Sequence, residues 1–200
     1  MVTTYRKGEH GQTIVEKKNA ASIERLYEDM GRYLASDIHV ITYQPGSTNL
    51  ANPGTGQVDF VPKHLLVLAQ QRMKLLQEHQ KEWVLTHGDF GIHNVLYTDD
   101  HQLTVLDWEW ASWAHPLTDV SWVCWFTAFH YPKQAPRWNQ TFLQAYQQHR
   151  TLRITENTLQ AYAVANVWKI LQKVQQAPRH VQQEWVRRLE WTLAHSFSYD

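Results

Sequence analysis

Leu85-Thr86-His87-Gly88-Asp89-Phe90-Gly91-Ile92-His93-Asn94-Val95-Leu96 is the stretch of this 200-residue sequence on which the fold turns. Runs rich in Val, Leu and aromatic residues at 83–86, 94–97 and 103–106 read as three short strands. The loop between the first two holds a carboxylate, Asp89, and an amide, Asn94, opens the next strand. Residues 98–102 form a polar turn, so the second and third strands should make a hairpin, which ends in Leu106-Asp107-Trp108-Glu109. A tight hairpin brings Asp89, Asn94 and Asp107 to the same edge. Phosphoryl transfer from a nucleotide needs such a set: a carboxylate that positions the attacking hydroxyl, and hard oxygen ligands that hold magnesium on the phosphates.

Outward from this stretch the pattern is helical. Ile23, Leu26, Tyr27, Met30, Leu34 and Ile38 predict an amphipathic helix over 19–40. Residues 2–5 read as an extended piece, 7–12 as a loop and 44–61, rich in Pro, Gly, Asn, Ser and Thr, as a long loop. Pro62 suits the first turn of a second helix carrying Leu65, Leu66, Leu68, Ala69, Met73 and Leu76. After Pro116, helices are expected over 118–129, 137–149, 155–175 and 178–197. With no internal repeat and no linker, one mainly α domain with a small β insertion is the expected architecture.

Composition narrows the function classes. Nineteen basic and nineteen acidic residues cancel, so nothing calls for nucleic acid or an anionic membrane as partner. The longest apolar stretch, 120–129, is too short to span a bilayer, and no signal-like segment opens the chain. Cys124 is the single cysteine, set among apolar residues, which excludes an internal disulfide or a cysteine-based zinc site and reads as a buried inert thiol. A cytoplasmic protein is the expectation.

His-Gly-Asp-x-x-x-x-Asn followed by Leu-Asp-Trp-Glu resembles the catalytic and metal loops of the aminoglycoside phosphotransferase and choline kinase family, distant relatives of the protein kinases. The resemblance implies the C-terminal lobe of a protein-kinase-like fold over residues 1–200: a hinge-like segment at 1–12, catalytic and metal loops at 83–109 and a helical subdomain at 118–200. By position, Asp89 would be the catalytic base or hydroxyl positioner and Asn94 and Asp107 the Mg2+ ligands. His87 would pack the loop, Asp119 in His115-Pro116-Leu117-Thr118-Asp119-Val120 would support it from below, and Glu109 would take a secondary metal or substrate role. The helix ending at His39 resembles the family's helix ending near Leu-His. ATP or GTP would be the donor and a small-molecule alcohol of aminoglycoside, choline or sugar type the acceptor.

Two departures stand out. Many members read His-Gly-Asp-Leu-His-Pro-Gly-Asn, whereas here Gly91 takes the histidine's place and His93 stands beside the asparagine. Nothing before His87 resembles the family's phosphate-covering loop, strand lysine or partner glutamate, so the chain is expected to begin at the second lobe and to be incompetent alone. A separate N-terminal lobe or a homodimer partner would complete it; the main alternative is a catalytically dead remnant that binds a ligand or partner.

Plainer readings stand beside these. Asp89, Asn94 and Asp107 taken singly are ordinary turn and cap residues. His87, Asp89 and His93 taken together would suit a zinc hydrolase but leave the Asp-Trp-Glu motif unused. The aromatic run Trp108, Trp110, Trp113, Trp122, Trp125, Phe126 is expected in the core. Trp168, Trp185 and Trp191 are candidates for an aromatic substrate wall, with Glu184 and Glu190 as contacts to an amino substrate.

Overall fold

The hairpin is present in the computed structural model, which describes residues 7–48, 56, 58–76 and 82–197. The extended piece at 2–5 and half of the hinge-like segment lie outside the described residues, as do 49–55 and 57 of the long loop. Strands β3 (Val95–Tyr97) and β4 (Leu103–Val105) pair antiparallel, with Val95 opposite Val105. The turn closes through the Thr98 carbonyl, which accepts from His101 at 3.0 Å, and the Thr98 N–H, which donates to Gln102 at 3.0 Å.

Two elements depart from the expected loop at 7–12. A two-residue strand, β1 (Glu9–His10), adds to β3 through the pair Glu9–Tyr97, and a short helix, α1 (Gly11–Lys17), follows at once. Neither has a pattern of its own, since a two-residue strand and a seven-residue helix are held by tertiary contact rather than by propensity. Gly11 makes that contact feasible: a Cβ there would come within 2.5 Å of the Ile92 carbonyl oxygen. A second unexpected strand, β5 (Ser112–Ala114), pairs with β2 (Val84–Thr86), with Leu85 opposite Trp113. The β insertion is thus two small antiparallel sheets flanking the loop at 87–94.

The helices surround this insertion. Asn19 caps α2 (Ala20–Tyr33) by accepting from the Ser22 N–H at 3.0 Å. This helix ends in a π-helical turn, Leu34–Ile38, which delivers His39 into the interior. Then come α3 (Lys63–Met73), α4 (Leu117–His130), α5 (Ala135–His149), α6 (Glu156–Lys173) and α7 (Arg179–Ala194). Helix α2 packs on α5, and α6 packs on α4 and α7. Helix α4 is buried on nearly every face, from Leu117 through Trp125, which is why its sequence is apolar all round. Cys124 lies in it, fully buried, and burial pushes its thiol far up. No helix among the described residues is long and apolar enough to cross a membrane.

Candidate active site

The site is built on the first turn of α4. The Asp119 carboxylate, fully buried, accepts the His87 backbone N–H at 2.7 Å on Oδ2 and the Gly88 N–H at 2.8 Å on Oδ1. Such N–H bonds to an ionised acceptor are roughly twice as strong as neutral ones. His39 completes the support from the end of α2, its Nε2 lying 3.2 Å from Asp119 Oδ2 and its Nδ1 2.8 Å from the Tyr146 hydroxyl. One neutral tautomer fits both contacts: Nε2–H donates to the carboxylate and Nδ1 accepts from the tyrosine. Burial drives the His39 pKa down, and pairing with Asp119 opposes this without overcoming it.

His87 reads the same way. Its Nε2–H donates to the Leu106 carbonyl at 2.8 Å, and its Nδ1 accepts the Asp89 N–H at 3.2 Å. With both nitrogens occupied, it ties the Asp89 loop to the residue preceding Asp107. No group of three or more His, Cys, Asp or Glu suited to a metal occurs among the described residues, so His87, Asp89 and His93 do not converge as a zinc site. Between them sits Gly88 at φ +81°, where a Cβ would come within 2.5 Å of the Trp110 carbonyl oxygen. Glycine meets both requirements there.

Asp89 is held by three donors. Its Oδ1 accepts the Trp122 indole N–H at 2.7 Å and the His93 Nε2–H at 3.1 Å, and its Oδ2 accepts an Asn94 amide N–H at 3.0 Å. The Asn94 amide also donates to the Asp89 carbonyl at 2.9 Å. Burial alone would raise the Asp89 carboxyl, but His93, through hydrogen bond and charge, with Trp122 and Asn94, pulls it net below its ordinary value. Asp89 therefore stays ionised, with a lone pair still open on Oδ2. Sequence reasoning missed two of these donors. Trp122 has the helical spacing of a core residue, and it is 5% exposed, yet its polar edge belongs to the site. His93 stacks on Phe126 at 4.4 Å and reaches back to the carboxylate, a use that the exchange of Gly91 and His93 makes available.

Asn94 and Asp107 lie at the same end of the hairpin, because the Leu106 N–H donates to the Asn94 carbonyl at 2.8 Å. With its amide nitrogen committed to Asp89, Asn94 keeps Oδ1, which accepts no hydrogen bond among the described residues. Asp107 is exposed and left-handed, φ +58° and ψ +67°, at the start of the 3-10 turn Trp108–Trp110, which its side chain does not cap. Asp tolerates this backbone better than most residues, but it remains sparsely populated and is typical of functional positions. An amide oxygen and a carboxylate, both hard donors and both without a partner among the described residues, fit Mg2+. Glu109 instead accepts the Trp110 indole N–H at 2.9 Å.

A cleft of about 230 Å³ opens beside Asp89, walled by Trp110, Trp122 and Trp185, with Lys169 among its other residues. Of the expected aromatic wall only Trp185 takes part: Trp168 is buried, and Trp191 packs against Trp125, Phe129 and Phe197. Glu184 is paired with Arg187 at 2.8 Å and Arg188 at 2.9 Å, and these two arginines lower its carboxyl to about 2. Glu190 is exposed.

The chain is similar to several known proteins. Acyl-CoA dehydrogenase family member 11 of Mus musculus is 34% identical over 70 residues, which are 34% of this chain and 9% of that protein. Among solved structures, the amicoumacin kinase hAmiN, in complex with AMP-PNP, Ca2+ and Ami, matches with a TM-score of 0.61 at 14% identity, over 88% of this chain and 61% of its own. The choline kinase LicA of Streptococcus pneumoniae matches with a TM-score of 0.60 at 14% identity, over 88% and 66%. The chain thus spans less than two thirds of these kinases, and at such identities they establish the fold: α+β and kinase-like. The family model of the phosphotransferase enzyme family matches residues 1–156, so this chain belongs to that family.

Proposed function

We propose that this chain carries the acceptor and metal side of a kinase that moves the terminal phosphate of ATP or GTP to the hydroxyl of a small molecule. The observation that carries the reading is Asp89, an ionised carboxylate fixed by three donors at the edge of a cleft. An Asn94 amide N–H donates to that carboxylate at 3.0 Å, and Asp107 follows Leu106, whose N–H donates to the Asn94 carbonyl at 2.8 Å. The hydroxyl donates to the open lone pair of Asp89 Oδ2. As the oxygen–phosphorus bond to the acceptor forms and the bond to the leaving diphosphate breaks, the hydroxyl proton passes to Asp89 and on to solvent. A carboxylate held below its ordinary pKa is a weak base, which suits a reaction whose catalysis is chiefly positioning and electrostatics. Asn94 Oδ1 and the Asp107 carboxylate would hold Mg2+, which when bound neutralises charge on the phosphates. Glu109 is a secondary candidate for that role.

We further propose that this chain alone transfers no phosphate efficiently and that a kinase nucleotide-binding lobe, supplied as a fusion or a second chain, restores turnover. The test follows labelled phosphate from ATP or GTP with Mg2+ into a panel of small alcohols. Transfer that disappears in Asp89→Asn is the expected result. Nucleotide binding without phosphorylation of any alcohol would favour a remnant that only binds.

A further inference from the structure

We propose that the alcohol accepted beside Asp89 carries an anionic group, a carboxylate or a phosphate ester, and that Lys169 binds it; this rests on the phosphotransfer reading above. Among the described residues Asp89 is the one acidic residue lining the cleft, and the lone pair its three donors leave open on Oδ2 is taken by the acceptor hydroxyl. A cationic substrate would find no further counter-charge there, since Glu184 is spent on Arg187 and Arg188.

The cleft offers the opposite charge. Lys169 lies on α6 and pairs with no carboxylate among the described residues. One helical turn further on is Lys173, and both ammonium groups rest over the Trp110 ring, at 5.0 and 3.2 Å from its centroid. Two like charges at this spacing on a helix repel each other. An anion bound between the helix and Asp89 relieves that repulsion, whereas a bound cation adds to it. Burial and the nearby Lys173 push the Lys169 ammonium down, and Asp119 only partly offsets them. Helix α6 is fixed in register with the catalytic loop, because the Asn166 amide donates to the Thr118 carbonyl at 2.9 Å, one residue before Asp119. The size also fits: about 230 Å³ lies below the 300–1,000 Å³ of a drug-sized ligand, and so suits a compact acid with its body against tryptophan.

Calorimetry on the whole chain tests this with four alcohols: D-glycerate and glycerol 3-phosphate on one side, choline and 2-aminoethanol on the other. Binding of at least one anionic alcohol and weaker binding of both amines is expected, and which anion binds separates carboxylate from phosphate. Lys169→Met should weaken the anion by about tenfold or more, the worth of one charge-assisted hydrogen bond, while Lys169→Arg retains most of the affinity. Circular dichroism and thermal melting establish that both variants fold. No anion binding, equal binding of amines and acids, or a folded Lys169→Met that binds anions like the wild type would each overturn the proposal. Lys169-dependent anion binding without phosphorylation of the bound alcohol would sustain this inference and count against the kinase reading. Phosphorylation of choline or 2-aminoethanol alone would do the reverse.

Discussion

Replacing Asp119 by alanine should unlatch the catalytic loop. The change removes two N–H bonds to a carboxylate, from His87 and Gly88, and the contact with His39. Each bond to a charged group contributes about 1.5–3 kcal/mol, so a naive sum reaches roughly 5–9 kcal/mol. That sum is too high, because the carboxylate's own burial costs several kcal/mol, which the variant recovers. Breaking a buried charged network by removing one partner costs about 3–5 kcal/mol, a large part of the roughly 5–15 kcal/mol that holds a domain together. At about 2–4 °C per kcal/mol, the melting temperature should fall by roughly 6–20 °C. Asp119→Asn should cost less, because its amide oxygen still accepts from one of the two N–H groups while its NH2 faces the other. Urea unfolding followed by circular dichroism and tryptophan fluorescence measures both variants. A double-mutant cycle with His39→Gln should show coupling of about 0.5–3 kcal/mol, as expected for residues in one network. Asp119→Ala within about 1 kcal/mol of wild type, at unchanged slope, would refute the idea that this carboxylate holds the loop.

Stability should fall on acidification below pH 6.5: burial lowers the pKa of both His39 and His115, so the unfolded chain, protonating near 6.5, takes up more protons than the folded one. The urea midpoint should drop from pH 7.5 to 5.5, and His39→Gln should flatten that slope. Asp89 acts in a separate window, its contribution being present above the ordinary carboxyl value of 3.8 and lost below it. Gly88→Ala combines a strained φ with a clash against the Trp110 backbone and should cost about 2–4 kcal/mol in the same unfolding assay, whereas alanine at Gly46, where nothing lies within 4 Å, should cost less.

Much of this was legible in the sequence for definite reasons. The hairpin follows from two short runs rich in Val, Leu and aromatic residues around a polar turn, and α4 follows from the apolar stretch after Pro116, with α5, α6 and α7 after it. The same hairpin sets Asn94 and the residue before Asp107 side by side, the Leu106 N–H donating to the Asn94 carbonyl at 2.8 Å. What escaped was tertiary. Strands β1 and β5 are two and three residues long and exist because β3 and β2 offer them an edge. Periodicity places Trp122 in the core but carries no information on where its indole N–H points. His93 reads as a change of loop shape, and only the folded loop shows its ring on Asp89. Lys169 sits in an ordinary helical pattern, and that it pairs with no carboxylate among the described residues is a property of the assembled cleft.

Titrating this chain with ATP in the presence and absence of Mg2+ decides whether Asn94 and Asp107 form a metal–nucleotide site beside Asp89. Weak binding that requires the metal, is lost in Asp107→Asn and Asn94→Ala, and persists in Asp89→Asn is the expected result. Binding indifferent to Mg2+, or an Asp107→Asn variant that binds like the wild type, would contradict it.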